Sequence, residues 1–294
     1  MILVKPKFEI IEQENTLEGA IKHIEKAART CYKSEHLITD ESAQRMYDRL
    51  VESKHLAMLE HGTVYLIART EVDLDCNIGD CFYNPLGKYT INPYSQVEMK
   101  DMFYFVTTNM RVIVENGWED DLKYRCEPTD YHNRRVTVKF VTDQGILREF
   151  TRHRVFSFAV ESTRYCNYNK GKFGNQVTFV IPSWCENIEE GEHFIEPLSN
   201  QIAINPIERM FLDALANAES GYKYLINMGW KPEEARNVLP LATKCEVVMT
   251  GFISDWKHFF DLRAKGSTGK PHPQAAELAV PLMNEFINRG LING

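Results

Sequence analysis

Apolar residues recur at helical spacing in "NTLEGAIKHIEKAARTCYKS", residues 15–34, and predict a helix. Asn15 followed by Glu18 makes a capping-box pattern at its start. "DESAQRMYDRLVESKH", residues 40–55, predicts a second helix with Asp40 as N-cap. "GTVYLIART", 62–70, alternates like a strand. Residues 71–101 mix Asp, Asn, Gly, Pro and Tyr without a period and read as a long surface excursion. "MFYFVTTN" reads as a strand and "MRVIVENGWEDDLKY" as a helix after it. "RRVTVKFVT", 134–142, alternates along its length and is the clearest strand pattern. Asp143 then caps a helix through "GILREFTRHR". "NPIERMFLDALANAESGYKYLINMG", 205–229, has Asn at N-cap, Pro at N1, Glu at N3 and a glycine stop at Gly229. "KPEEARNVLP" is a short helix ended by Pro240, and "SDWKHFFDLRA" a longer one before the glycine-rich loop "KGSTGKPHPQ". A last helix, "PQAAELAVPLMNEFINRG", is expected to kink at Pro281.

The 294 residues suffice for one large domain or two small ones. Hydrophobic residues make up 44% and charged residues 26%, the composition of a soluble globule. A formal charge of −7 argues against a surface that clamps a long nucleic acid, so any anion site should be local. No apolar core of signal-peptide length follows the start, and no apolar run approaches a membrane span, so a cytoplasmic protein is expected. The seven cysteines, 31, 76, 81, 126, 166, 185 and 245, are odd in number and irregular in spacing. Only Cys76 and Cys81 lie close together, with no matching second pair, so reduced thiols are expected and no metal site.

The picture changes at "RHRVFSFAVESTRYCNYNKG", residues 152–171. Arg152, His153 and Arg154 are consecutive, and Ser162, Thr163 and Arg164 follow seven residues later. Arginine presents a planar fork suited to phosphate and carboxyl-like oxygens, and the hydroxyls add compact donors. On spacing alone the stretch is either an anion site or a solvated basic helix end.

"RHR", seven residues and then Ser resembles the signature of the flavin-dependent thymidylate synthases, and the flank ending Ser-x-Arg-Tyr agrees. "ARTCY" (28–32) and "HLAMLEH" (55–61) resemble that family's N-terminal motifs, "EEARNVLP" (233–240) and "HFFDLR" (258–263) its C-terminal ones. The likeness covers most of the chain as a single domain over 1–294, with an enlarged segment at about 71–135. It implies a mixed α/β (α+β) fold, a mixed β-sheet flanked by helices, assembled as a homotetramer with active sites built from several subunits. It implies reductive methylation of dUMP to dTMP, with methylene-tetrahydrofolate as carbon donor and NADPH-reduced FAD as hydride source.

The resemblance also implies roles by position. Arg148, Glu149, Arg152, Ser162, Thr163, Arg164, Arg236 and Arg263 should face the nucleotide, with Arg263 stabilising charge on the base and the Arg-His-Arg loop meeting it across subunits. His153, Arg154, Val155 and His258 should face the flavin, with Arg152 shared, Ala57 nearby and His272 also in reach. No cysteine nucleophile is implied, and Cys166 reads as a small packing residue. Three departures stand out. Glu149 occupies a position often held by glutamine. The acid usually two residues before the motif serine is replaced by Val160, with Glu161, a further nucleotide-contact candidate, one place on. The Asn-x-Arg flavin contact upstream of the last motif is replaced by Phe252, Ile253 and Ser254, while Thr107 to Arg111 could supply similar groups. Two alternatives stay open: a nucleic-acid module stacking bases on Tyr165 and Tyr168, and a flavin reductase without methyl transfer.

Overall fold

A computed structural model describes residues 1–73, 81–193 and 205–293. Two strands, β1 (Ile2–Val4) and β2 (Lys7–Ile11), lead into α1 (Leu17–Tyr32) and α2 (Ser42–Glu52). The α1 cap is Thr16, whose hydroxyl accepts from the Gly19 amide, while Asn15 instead donates to the Cys126 carbonyl. No side chain caps α2, and its N-cap is Glu41 rather than Asp40. After a 3-10 turn at Leu56–His61 come β3 (Thr63–Arg69), β4 (Glu71–Asp73), β5 (Cys81–Tyr83), β6 (Gln96–Lys100) and β7 (Phe103–Asn109). The 71–101 excursion therefore contains a short hairpin and a sheet strand, which its lack of alternation concealed. The helix expected over 110–124 is α3 (Met110–Asn116), stopped by Gly117 at φ 66, followed by a 3-10 turn.

β8 (Arg135–Asp143), α4 (Gln144–Phe150) and β9 (Ser157–Val160) follow, then β10 (Thr178–Val180) and β11 (Gly191–Glu192). α5 (Pro206–Asn227), α6 (Pro232–Ala235), β12 (Lys244–Phe252), α7 (Ile253–Arg263) and α8 (Pro273–Asn288) complete the chain. α8 runs through Pro281 as one helix. The fold is mixed α+β. Its centre is an antiparallel sheet in the order β2-β8-β12-β9, with Thr250 opposite both Thr137 and Ser157. β3-β7-β6 and β10-β1-β11 form two smaller sheets.

β12 is covered on both faces. Val247 and Met249 pack with Phe140, Phe150, Trp256 and Phe259 beneath α7 and α8. On the opposite face Val248 meets Ala27 of α1, and Thr250 joins Thr137 (2.7 Å) and the buried His61 (2.8 Å). Burial on both sides leaves little contrast between the faces of β12, whose polar Lys244, Glu246 and Thr250 find partners inside the structure, so its period of two is broken. Gly251 is required by close approach: a Cβ there would lie 2.6 Å from two ring carbons of Phe156. Phe156 is itself held edge-on to Trp256 at 4.7 Å. Gly251→Ala is therefore expected to destabilise by about 1–3 kcal/mol through overpacking. Denaturant titration checks this, and an unchanged midpoint would show that Phe156 can move aside.

Candidate active site

α4 is fixed at its start by Asp143, whose carboxylate accepts from the Ile146 amide (2.7 Å) and from Gln274 (2.8 Å). Its last turn presents Arg148 to solvent and Glu149 to α7. The helix ends at Phe150, so Arg152, His153 and Arg154 occupy a turn rather than the helix end expected from the sequence. Phe150 and Phe156 are buried on either side of this turn and anchor it to the core. β9 then carries the chain to Glu161 and the Ser162–Thr163–Arg164 loop.

Arg263 closes α7 and reaches back to this turn. Its Nε donates to His153 Nε2 (3.2 Å), Nη1 to Glu149 Oε2 (2.5 Å) and Nη2 to the Glu149 carbonyl (3.0 Å). Its side chain is 19% exposed and that of Glu149 32%. A guanidinium carries five N–H groups, so two remain, one on each terminal nitrogen. Because His153 Nε2 accepts, the neutral ring carries its proton on Nδ1. Burial, reinforced by Arg263 and His258, pushes the His153 pKa down to about 4. The resemblance placed Arg263 and the Arg-His-Arg loop in different subunits. The structure corrects this, since both belong to one contact within one chain.

A second group gathers around the Ser162 loop. Arg236 Nη1 donates to Thr163 Oγ1 (3.1 Å), and Arg164 Nε to Glu233 Oε2 (2.8 Å). The Ser162 amide is held by the Cys31 carbonyl (2.9 Å), which ties the loop to the end of α1. Arg148, Thr163, Arg236, Gln144, Leu241 and Thr243 are among the residues lining one cleft of about 410 Å³. Among the described residues no hydrogen bond or ion pair joins this group to Glu149, His153 and Arg263.

Glu161 lies behind the loop. It is buried, with Oε2 taken by Lys244 (2.9 Å) and the Glu246 amide (3.2 Å), and Oε1 by the Tyr168 hydroxyl (3.3 Å). Lys244, Lys139 and Lys33 also converge on Glu246 at 2.5–2.7 Å. Burial alone would raise the Glu246 pKa, but these ammonium groups hold it well below the usual carboxylate range. Glu161 thus fastens the loop to the sheet and has no oxygen directed at the cleft. Sequence reasoning missed Lys244, Glu233 and Gln144. Of these, only Glu233 lies inside a motif.

Arg152, Arg154 and Val155 are exposed, and among the described residues neither arginine has a carboxylate partner. His258 is exposed on α7, its ring 6.0 Å from His153. Ala57 is exposed in the Leu56–His61 turn. His272 precedes α8, 6.0 Å from the Trp184 ring, and its buried Nδ1 has no partner among the described residues. Asn109 is consumed as the buried cap of α3, while Arg111 pairs with Glu60 (2.5 Å) in the turn that carries Ala57. Tyr168 and Cys166 are buried, which removes one of the two rings of the base-stacking alternative and shields the thiol. No group of three or more His, Cys, Asp or Glu among the described residues could hold a metal, and Cys76 lies outside them.

Burial pushes His23 down to about 4 and His61 to about 3, as it does His153. Above the ordinary value of about 6.5 these rings are neutral folded or unfolded. As pH falls from about 6.5 towards 4, the unfolded chain binds protons that the fold refuses, so stability is lost across that window. The melting temperature should be flat between about pH 7 and 8 and decline steadily from pH 6.5 to 4. A flat profile down to pH 4 would contradict these assignments.

The family model described as thymidylate synthase complementing protein matches residues 133–287, just over half of the chain. A flavin-dependent thymidylate synthase of Haloarcula marismortui is 30% identical over 153 residues, covering 47% of this chain and 57% of that protein. One from Pyrococcus furiosus is 31% identical over 115 residues, covering 39% and 40%. A probable flavin-dependent thymidylate synthase of Paramecium bursaria Chlorella virus 1 is 26% identical over 137 residues, covering 47% and 60%. The chain thus spans about half the length of these relatives. Among solved structures, the UMP/dUMP methylase PolB from Streptomyces cacaoi bound with 5-Br dUMP superposes with a TM-score of 0.45 at 16% identity, covering 98% of this chain and 93% of that one.

Proposed function

Because this chain belongs to the thymidylate synthase complementing protein family, we propose that it is a flavin-dependent thymidylate synthase that methylates dUMP to dTMP. The observation that carries the reading is the cleft where Arg148, Thr163 and Arg236 converge from separate elements inside the family-matched segment. Two guanidinium groups and a hydroxyl around a confined space suit a phosphate dianion in a protein of charge −7.

Arg236, already oriented by Thr163, and Arg148 hold the phosphate. Arg263 serves the base: pinned through three donors, it keeps two N–H groups for a pyrimidine oxygen. Glu149 and His153 fix its plane before substrate arrives, so no reorganisation accompanies charge development. Low exposure strengthens the interaction relative to water. His153 takes no proton at neutral pH and acts as an oriented acceptor.

The exposed, uncompensated Arg152 and Arg154 fit the pyrophosphate of FAD, with Val155 and His258 beside them and Ala57 and His272 at the margins. Bound FAD, reduced by NADPH, would supply the hydride, and methylene-tetrahydrofolate the carbon. The buried Cys166 lends no support to a thiol nucleophile. A homotetramer, in which one copy supplies the Arg236 group and another the Arg263 group, completes the proposal.

The test is release of tritium from carbon 5 of labelled dUMP with methylene-tetrahydrofolate and NADPH, on protein whose visible absorbance has been recorded. A yellow protein that forms dTMP and releases tritium is expected. A yellow protein that oxidises NADPH without tritium release would instead identify a flavin reductase, and a colourless protein would remove the flavin altogether.

A further inference from the structure

α5 is 22 residues long and buries one face. Glu208, Leu212, Leu215, Glu219 and Tyr222 are buried, the apolar ones in the core beside β1 and β10. On the opposite side lie Ile207, Met210, Ala214, Asn217, Gly221, Tyr224 and Met228, separated alternately by three and four residues. That is the spacing of a two-helix seam. The row contains no charge, and its four large members are 78%, 70%, 64% and 65% exposed in chain order.

The row is also symmetric in size. Its large side chains stand at both ends and its small ones, Ala214, Asn217 and Gly221, in the middle. We propose that α5 forms a two-fold interface with a second copy of this chain, the two helices antiparallel and crossing at Asn217. Ile207 then meets Met228 of the partner subunit, Met210 meets Tyr224 of the partner subunit, and Ala214 meets Gly221 of the partner subunit. Asn217 meets its own counterpart on the axis, where each amide satisfies the other and fixes the register. The small central residues allow close approach of the backbones. Half-buried Phe211 and Leu225 border the seam and also face each other across it. Antiparallel helices oppose their dipoles. Four large, mostly exposed side chains per copy bring the buried area to the order of 1,000 Å², where specific interfaces begin. An isologous surface must complement itself, and this one does. Val238 packs near Gly221, so the seam runs beside the Arg236 cleft. The inference stands on α5 alone and is independent of the reaction.

The test is cross-linking of the full chain. Oxidised Asn217→Cys should give a covalent dimer, whereas wild type and Asn227→Cys should not. Ala214→Cys should cross-link only when mixed with Gly221→Cys. Self-linking of Ala214→Cys would indicate a parallel pair and overturn the register. By light scattering, Met210→Glu and Tyr224→Lys should each halve the mass, and the double variant, with opposite charges across both of the layers these residues form, should restore it. An unchanged mass in both single variants, with normal melting curves, would overturn the interface, as would a double variant that folds but stays dissociated.

Discussion

Arg263→Ala is expected to lower the rate of dTMP formation by about 100–1,000-fold, the usual cost of losing one preorganised donor at developing charge. FAD should still bind, because the exposed arginines of the turn are untouched. The contact set explains why the effect falls on rate. Glu149 and His153 hold the guanidinium through three donors, so its two remaining N–H groups are aimed before the base becomes anionic. The cost to stability is small. The pair is partly buried but Glu149 keeps contact with solvent, so its loss costs up to about 1 kcal/mol, and the favourable position at the end of α7 contributes about 0.3–1 kcal/mol. Glu149, left without its partner, can hydrate. Arg263→Lys should not rescue, because a single ammonium cannot satisfy Glu149 Oε2, the Glu149 carbonyl and His153 Nε2 while also reaching the base. Turnover and melting temperature measured on the same preparations decide the matter. A lower melting temperature with normal turnover would make Arg263 a helix-end cation and nothing more.

The sequence announced parts of this fold where a local rule applied, although Asp40 does not cap α2. Asn205 and Pro206 open α5 as expected, and Asp143 caps α4. The alternation of β8 was plain because Val136, Val138 and Phe140 face the core under α7 and α8, while Thr137 and Lys139 on the other face take polar partners, His23 and Glu246. β12, its partner at the centre of the sheet, carries "KCEVVMTGF" with seven successive buried positions, and so offers no alternation to detect. The α1 cap slipped by one residue because Asn15 and Thr16 are both competent caps, and only the tertiary bond from Asn15 to Cys126 separates them. The site divides in the same way. The basic loop was legible as a cluster of residue types. The burial of Glu161 was not, because Lys244 is 83 positions away. Nor was the Arg263–His153 contact, 110 positions apart. Long-range pairing is set by topology, and one chain's residue spacing carries no record of it.

Mixing Arg236→Ala and Arg263→Ala proteins, each strongly impaired when dUMP is held well below KM, should recover activity under that condition that neither has alone. Arg236 belongs to the cleft shared with Arg148 and Thr163, whereas Arg263 belongs to the group with Glu149 and His153. If one copy supplies the first and another the second, random assembly at equal concentrations leaves about one quarter of the sites with both arginines. Arg236→Ala alone should lower kcat/KM for dUMP by about 10–100-fold, the range for a lost hydrogen bond to a charged group, and act mainly through KM. Arg263→Ala should act mainly through kcat. The mixture must be denatured and refolded, or expressed from one cell, so that subunits exchange. Recovery near a quarter of wild type supports a site shared between copies. A mixture that stays at the average of the two parents, with mixed oligomers present by mass spectrometry, would mean that one chain supplies both arginines to each site, and that both groups serve the same nucleotide within a single subunit.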